Sequence, residues 1–293
     1  MGLKRRIKKI VASNYDLACA HYALRSYTKP LDSSNPIIVY QMGKVGSSSF
    51  EKTLFQLNLS RPLMKAHVLY REHMDFLRAE LNISARQYHA RHQIEPRSRY
   101  LLREIKKARS NGKGDWRFIT MVRNPAAQNI SSFFQLLDII VPDLHVRLRA
   151  GTLDLEELRT QFILRYPADC FYNQWFDLEL KASVGIDVLN SPFDPSKGYA
   201  TYEQGCFNVL LLRLESLSDC ANEAVRDYLG IQNFQLTKTN RGEDKEYADL
   251  YRLFREEVVL PEEYLDSIYN GRLAKKFYSP EEIESFRSAF RVD

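Results

Sequence analysis

The chain has 293 residues, 44% of them hydrophobic and 27% charged, with a formal net charge of +5. This composition supports one sizeable core, or a core with an appended lobe, and excludes a disordered chain. The mild positive balance suits an anionic ligand such as a nucleotide or an acidic glycan; no RNA-recognition or helix-turn-helix signature occurs, so no nucleic acid partner is expected.

The four cysteines (Cys19, Cys170, Cys206, Cys220) are widely spaced and form no CxxC pair. They read as free thiols, and no metal is expected. No apolar run reaches the roughly 18 residues of a transmembrane helix. Lys4, Arg5, Arg6, Lys8 and Lys9 open the chain without an acid, and no long apolar stretch follows as a secretory signal requires. Two readings stay open for this start: a solvated helix, which is favoured, or a basic segment resting on an anionic membrane surface. The expected location is cytoplasmic, with any membrane contact peripheral and at the inner face. Lys29 to Pro36 is turn-rich, which divides the chain into a basic segment and linker, 1–35, and a domain, 36–293.

Ile37 to Tyr40 is short, β-branched and apolar throughout, as a strand buried on both faces should be. Gly43 to Ser49 follows as a Gly/Ser loop, and Phe50 to Leu59 reads as a helix with Phe50, Leu54, Phe55 and Leu57 as its apolar positions. Strand, glycine-rich loop and helix together open a nucleotide-binding α/β unit. Pro62 to Tyr70 is a second apolar stretch containing Lys65 and His67. Arg71 to Arg109 is polar and helical, with bases concentrated from Arg97 on. Phe118 to Val122 is another buried strand, followed by Arg123-Asn124-Pro125 and a helix from about Ala126 to Leu137. Leu153 to Trp175 is mostly helical, Val209 to Leu214 is a third core strand, Glu223 to Leu229 a short helix, and Thr237 to Lys245 a basic loop. Alternating strands and helices argue for a parallel α/β sheet.

Two motifs carry the chemistry. Gln41 to Ser49 lies between a strand and a helix start, where unpaired backbone N–H groups and the helix dipole bind phosphate. Gly43 and Gly46 let the backbone approach a ligand, Lys44 adds a charge, and Ser47, Ser48 and Ser49 add hydroxyls. No GK[ST] occurs, so this is not a Walker A loop. A plain serine-capped turn is the structural alternative. In the second motif Arg123 stands at a strand end, where ligands of open α/β sheets sit. Asn124 can cap the next helix with Pro125 at its first position, and Ser131 is about two turns on. Arginine plus hydroxyl suits a second phosphate; a rim salt bridge would explain Arg123 equally well.

Lys44-Val45-Gly46-Ser47-Ser48 resembles the 5′-phosphosulfate loop of sulfotransferases that use 3′-phosphoadenosine 5′-phosphosulfate (PAPS), and Arg123 to Ser131 resembles their 3′-phosphate motif, with arginine and serine eight positions apart. Leu211 to Leu217 looks like the family's strand ending in a glutamate-containing turn. Trp175 to Leu180, Gly185 to Val188 and Pro192 to Asp194 look like a bacterial branch described as capsular polysaccharide synthesis proteins.

The resemblance implies a P-loop-like three-layer α/β sandwich, with a central parallel sheet and helices on both faces. It implies PAPS as sulfonate donor, no metal, and a glycan acceptor, a surface or capsular carbohydrate or its lipid-linked precursor. Lys44 would touch the bridging oxygen or the sulfonate. The loop Gly43 to Ser49, Val45 included, would hold the 5′-phosphate, and Arg123 and Ser131 the 3′-phosphate. A late basic loop covers the nucleotide in the family, which points to Lys238, Arg241 and Lys245. The acceptor hydroxyl needs a base. His67 is the first choice, since its ordinary pKa suits proton uptake near neutrality and many carbohydrate sulfotransferases place a histidine or glutamate in this stretch; His73, Asp177 and Glu179 are reserves. Trp175 and Phe176 stack on a sugar or, the preferred reading, fill the core. The competing functions are a P-loop kinase or NTPase and a non-catalytic nucleotide or glycan binder of capsule assembly. Oligomeric state is left open.

Overall fold

The computed structural model describes residues 10–11, 13–28, 31, 34–57, 59–80, 95–236 and 247–291. The basic start 1–9 and the loop carrying Lys238, Arg241 and Lys245 lie outside these residues.

Five strands form one sheet: β1 (Ile37–Tyr40), β2 (Leu63–Ala66), β3 (Trp116–Val122), β4 (Tyr199–Gln204) and β5 (Phe207–Arg213), in the order β2-β1-β3-β5-β4. The first four positions in that order are parallel, with Ile37 opposite both Leu63 and Arg117, and Thr120 opposite Leu211. All of β1 and nearly all of β3 and β5 are buried, although successive side chains point to opposite faces. Both faces of the sheet centre are therefore covered, and the unbroken apolar runs of these strands follow from that.

The expectation of a parallel sheet needs one correction. β4 pairs antiparallel with β5, Tyr199 facing Leu212, and closes one edge. Its sequence, Tyr-Ala-Thr-Tyr-Glu-Gln, buries only its two tyrosines, three positions apart, so it shows neither an apolar run nor the period-two alternation that signals a strand.

The helices are α1 (Tyr15–Thr28), α2 (Ser48–Gln56), α3 (Arg71–Glu80), α4 (Glu95–Asn111), α5 (Pro125–Gln135), α6 (Leu137–Ile140), α7 (Leu144–Ala150), α8 (Leu155–Arg165), α9 (Phe171–Trp175), a π turn (Phe176–Lys181), α10 (Ala182–Val184), α11 (Leu217–Leu229), α12 (Ala248–Glu257), α13 (Glu262–Tyr269), α14 (Arg272–Phe277) and α15 (Pro280–Ser288). α1 lies on α4, where Tyr22 meets Tyr100 at 5.6 Å between ring centroids. Helix starts follow local chemistry. Asn124 caps α5 by accepting from the N–H groups of Ala126 (3.1 Å) and Ala127 (3.3 Å), with Pro125 at the first position as expected. Ser279 and Glu282 form a capping box at α15. α11 begins at Leu217, earlier than the expected Glu223. Its buried face, Leu217, Cys220, Ala221, Ala224, Val225 and Tyr228, has helical spacing but is built partly of small residues that signal hydrophobicity weakly.

Two cores result. One wraps the sheet; the other is helical and centres on Phe133, which meets Phe134, Phe162, Phe254 and Tyr166 at 5.5 to 6.4 Å between centroids. No helix among the described residues is long and apolar enough to cross a membrane.

Candidate functional site

From β1 the chain steps to β2 on one side, then returns past β1 to β3 on the other. The C-terminal ends of β1 and β3 therefore face one crevice, the usual ligand position in open α/β sheets. A cavity of about 900 Å³ opens there. Its polar part includes Gly43, Lys44, Gly46, Ser47, Ser48, Lys65, His67, His73, Arg123 and Ser131. The segment from α5 to α8 supplies an apolar wall with Leu136, Ile140 and Leu164, and α3 adds Phe76 and Leu77.

The loop after β1 is held in a specific shape. Lys44 and Gly46 both have left-handed backbones, at φ +65° and +74°. Non-glycine residues rarely adopt this region, and such strain gathers at ligand sites. Gln128 on α5 donates to the Gly43 carbonyl (2.9 Å), and Arg123 Nη1 donates to the Lys44 carbonyl (3.0 Å). The two motifs thus meet directly, and among the described residues Arg123 is fixed by the loop rather than by a rim salt bridge. Ser131 lines the same cavity.

The serine-capped turn does not describe this loop. Ser47 makes no cap hydrogen bond; its hydroxyl donates to Glu51 (2.6 Å) instead. The Ser47 hydroxyl, committed to Glu51, therefore does not cap the first turn of α2. Val45 is buried in the core and offers only its backbone. Ser49 lies inside α2, outside the cavity lining.

Glu51 was not legible as a site residue. It is buried and accepts from Gln41 Nε2 (2.9 Å), Ser47 Oγ (2.6 Å) and Lys65 Nζ (2.7 Å). On the expected helix face Phe55 and Leu57 were to be apolar contacts, yet both are exposed, while Glu51 and Thr53 are buried. A glutamate on the inward face one turn after a phosphate-type loop is the signal that could have found it. Its effect is to aim Lys65 along the cavity wall.

His67 donates through Nδ1 to the Gln41 carbonyl, 2.8 Å away. Since a carbonyl only accepts, Nδ1 carries the hydrogen. Burial first, and the Lys65 ammonium next, push its pKa down to about 4. Trp175 Nε1 donates to the His67 carbonyl (2.7 Å), and both Trp175 and Phe176 are buried, as the core reading expected.

The reserves separate. Asp177 pairs with Arg272 (3.0 Å) and does not line the cavity, so it is withdrawn as a base. Arg213 pairs with Glu282 rather than with Glu179. Glu179, fully buried in the π turn, accepts instead from Tyr40 Oη, the Leu69 N–H (2.8 Å) and His73 Nδ1 (2.7 Å). His73 reaches the cavity, and its pKa is raised chiefly by this hydrogen bond. Burial and then Glu179 raise that of Tyr40 well above the usual phenol range, which keeps it a donor.

Basic residues of α4 line a separate, shallower hollow of about 600 Å³, with Arg99, Arg103, Lys106 and Lys107 on it. None of these four lines the main cavity.

Residues 161–279 match the model of a family described as "Putative capsular polysaccharide synthesis protein". This stretch is under half of the chain. No curated protein and no solved structure matches. The capsular-family segment runs from within α8 to the cap of α15 and so includes β4, β5 and the π turn. It brings Tyr166, Cys170, Phe171, Tyr172 and Trp175 to the cavity wall, and the buried Glu179 behind it. Lys44, His67, His73, Arg123 and Ser131 lie before it.

Proposed function

We propose that this protein is a sulfotransferase that moves a sulfonate from PAPS to a hydroxyl of a carbohydrate in capsular or other surface glycan synthesis. The observation that carries this reading is the meeting of two anion-seeking groups in one cavity. Lys44 and the start of α2 follow β1, Arg123 and Ser131 follow β3, and Arg123 bonds the Lys44 carbonyl at 3.0 Å. One bisphosphorylated nucleotide can span both, its 5′-phosphosulfate at Gly46 to Ser48 and its 3′-phosphate at Arg123 and Ser131, on a P-loop-like frame. The volume of about 900 Å³ is of the size that takes a nucleotide with part of an acceptor. The capsular description attached to residues 161–279 supports the acceptor class.

In the reaction the acceptor oxygen bonds to sulfur while the bond from sulfur to the donor's phosphate oxygen breaks. The electron pair leaves with the phosphate, whose growing charge Lys44 meets. Positioning by the two phosphate grips supplies the alignment. Calorimetry tests the donor. Adenosine 3′,5′-bisphosphate should bind at least tenfold more tightly than adenosine 5′-phosphate, without magnesium. Equal binding removes the role given to Arg123 and Ser131, and tight ATP binding that requires magnesium points to a kinase or NTPase instead.

A further inference from the structure

We propose that His73, held by Glu179, takes the proton from the acceptor hydroxyl, in place of His67; this rests on the sulfonate-transfer reading of the same cavity.

Glu179 is a buried carboxyl group on which three donors converge from three parts of the chain: Tyr40 at the end of β1, Leu69 after β2, and His73 on α3. A buried carboxylate is costly unless its lone pairs are filled. Here they are filled by groups that fix its direction, and one of these groups is a cavity-lining imidazole. Because Glu179 accepts, His73 Nδ1 carries the hydrogen, and Nε2 is left with a lone pair. Among the described residues Nε2 has no partner, and the side chain keeps 19% of its surface exposed. The ring is steadied between Tyr70 and Phe171, at 5.6 and 5.4 Å between centroids. A cavity-lining base oriented by a carboxylate, with its second nitrogen unengaged, is the arrangement general-base catalysis needs.

His67 lacks that support. Its Nδ1 partner is a neutral carbonyl, and Lys65 beside it opposes an imidazolium. Around His73 the charges run the other way: Glu179 from the π turn and Glu72 on α3 both favour its protonated form. Tyr70 packs on the ring, with Lys106 5.8 Å from the Tyr70 centroid on its far neighbour α4. In the step, the hydroxyl proton passes to His73 Nε2 as the acceptor oxygen bonds to sulfur. The imidazolium so formed is stabilised by Glu179, which is a positioning residue and does not itself take the proton.

The test uses the full chain with ³⁵S-labelled PAPS and a panel of simple glycosides and extracted surface glycans. ¹⁵N-histidine NMR of the wild type should find His73 with hydrogen on Nδ1 and a pKa above 6.5. Glu179→Gln should lower that pKa and move the acid limb of kcat/KM to lower pH by the same amount. His73→Asn should cut kcat by 10²- to 10⁴-fold, with the affinity for adenosine 3′,5′-bisphosphate within twofold, which shows the fold intact. Imidazole should partly rescue His73→Ala. His67→Asn should leave the acid limb where it is. Transfer by His73→Asn within threefold of wild type, or an acid limb unmoved by Glu179→Gln, overturns the role of His73 while leaving the sulfotransferase reading in place. A wild type that neither binds adenosine 3′,5′-bisphosphate nor transfers from PAPS overturns both.

Discussion

Replacing Gly46 by alanine tests whether the loop after β1 is a built feature. A Cβ at this position falls 2.5 Å from Leu214 Cδ1 and 2.7 Å from Cδ2, and the backbone φ is +74°. The left-handed backbone costs an L-residue about 1–2 kcal/mol. Crowding in a packed site adds about 1–3 kcal/mol, less here because leucine methyls can rotate away. Alanine returns about 0.4–1 kcal/mol through the unfolded chain. The net loss should be about 2–3 kcal/mol, a large share of the roughly 5–15 kcal/mol by which domains are stable. Urea unfolding measures it as a lower midpoint at unchanged slope. In a Leu214→Ala background the crowding is gone, so the same change should cost only about 1 kcal/mol, the backbone part less the unfolded-chain return. Gly43 is the control: a Cβ there meets only Tyr172 Cε1 at 3.7 Å, and its φ is not positive, so Gly43→Ala should stay within about 0.5 kcal/mol. A Gly46→Ala protein as stable as wild type, or a Gly43→Ala protein equally damaged, would refute the account of this loop.

Lys44→Ala should lower transfer by about 10²- to 10³-fold, as loss of a group meeting transition-state charge does, while urea stability changes by under about 1 kcal/mol. Arg123→Ala should weaken adenosine 3′,5′-bisphosphate by at least tenfold but adenosine 5′-phosphate much less; an equal loss for both would mean that Arg123 acts only through the Lys44 carbonyl. Glu282→Gln removes the partner of Arg213, whose side chain is only 2% exposed, and should destabilise by about 2–3 kcal/mol, read from the thermal midpoint. The pKa of His67 is depressed to about 4 in the folded chain, so the unfolded chain binds more protons between pH 6.5 and 4. Stability should therefore fall by about 1–3 kcal/mol as pH drops through that window, and His67→Asn should lose that share of the slope.

What the sequence revealed has a physical pattern. That Lys44 and Arg123 share one cavity was legible because each lies in the segment that leaves a buried apolar strand, so strand position put both on one rim. The pairing of Glu179 with His73 was not, because the partners stand 106 residues apart and no local rule places a buried glutamate against a given histidine. Glu51 escaped for the opposite reason: helix patterning assigns inward positions to apolar residues, and here the packed exception serves the site. The β4 edge escaped because a strand half open to solvent carries little hydrophobic signal, and α11 was shortened because cysteine and alanine carry little of it too.

The π turn has a consequence for how this wall can vary. A π turn holds one residue more than an α-helix over the same rise, and each residue of an α-helix advances the direction of its side chain by about 100°. Phe171 and Trp175 before it, and Ser183 and Val184 after it, are all buried. Deleting any one residue from 176–181 would restore regular winding, and the segments on either side could then no longer both face inward. Homologous chains that differ in length inside this turn should therefore differ in the carboxylate they present to the sheet, whereas length changes in the exposed connections elsewhere should leave it untouched.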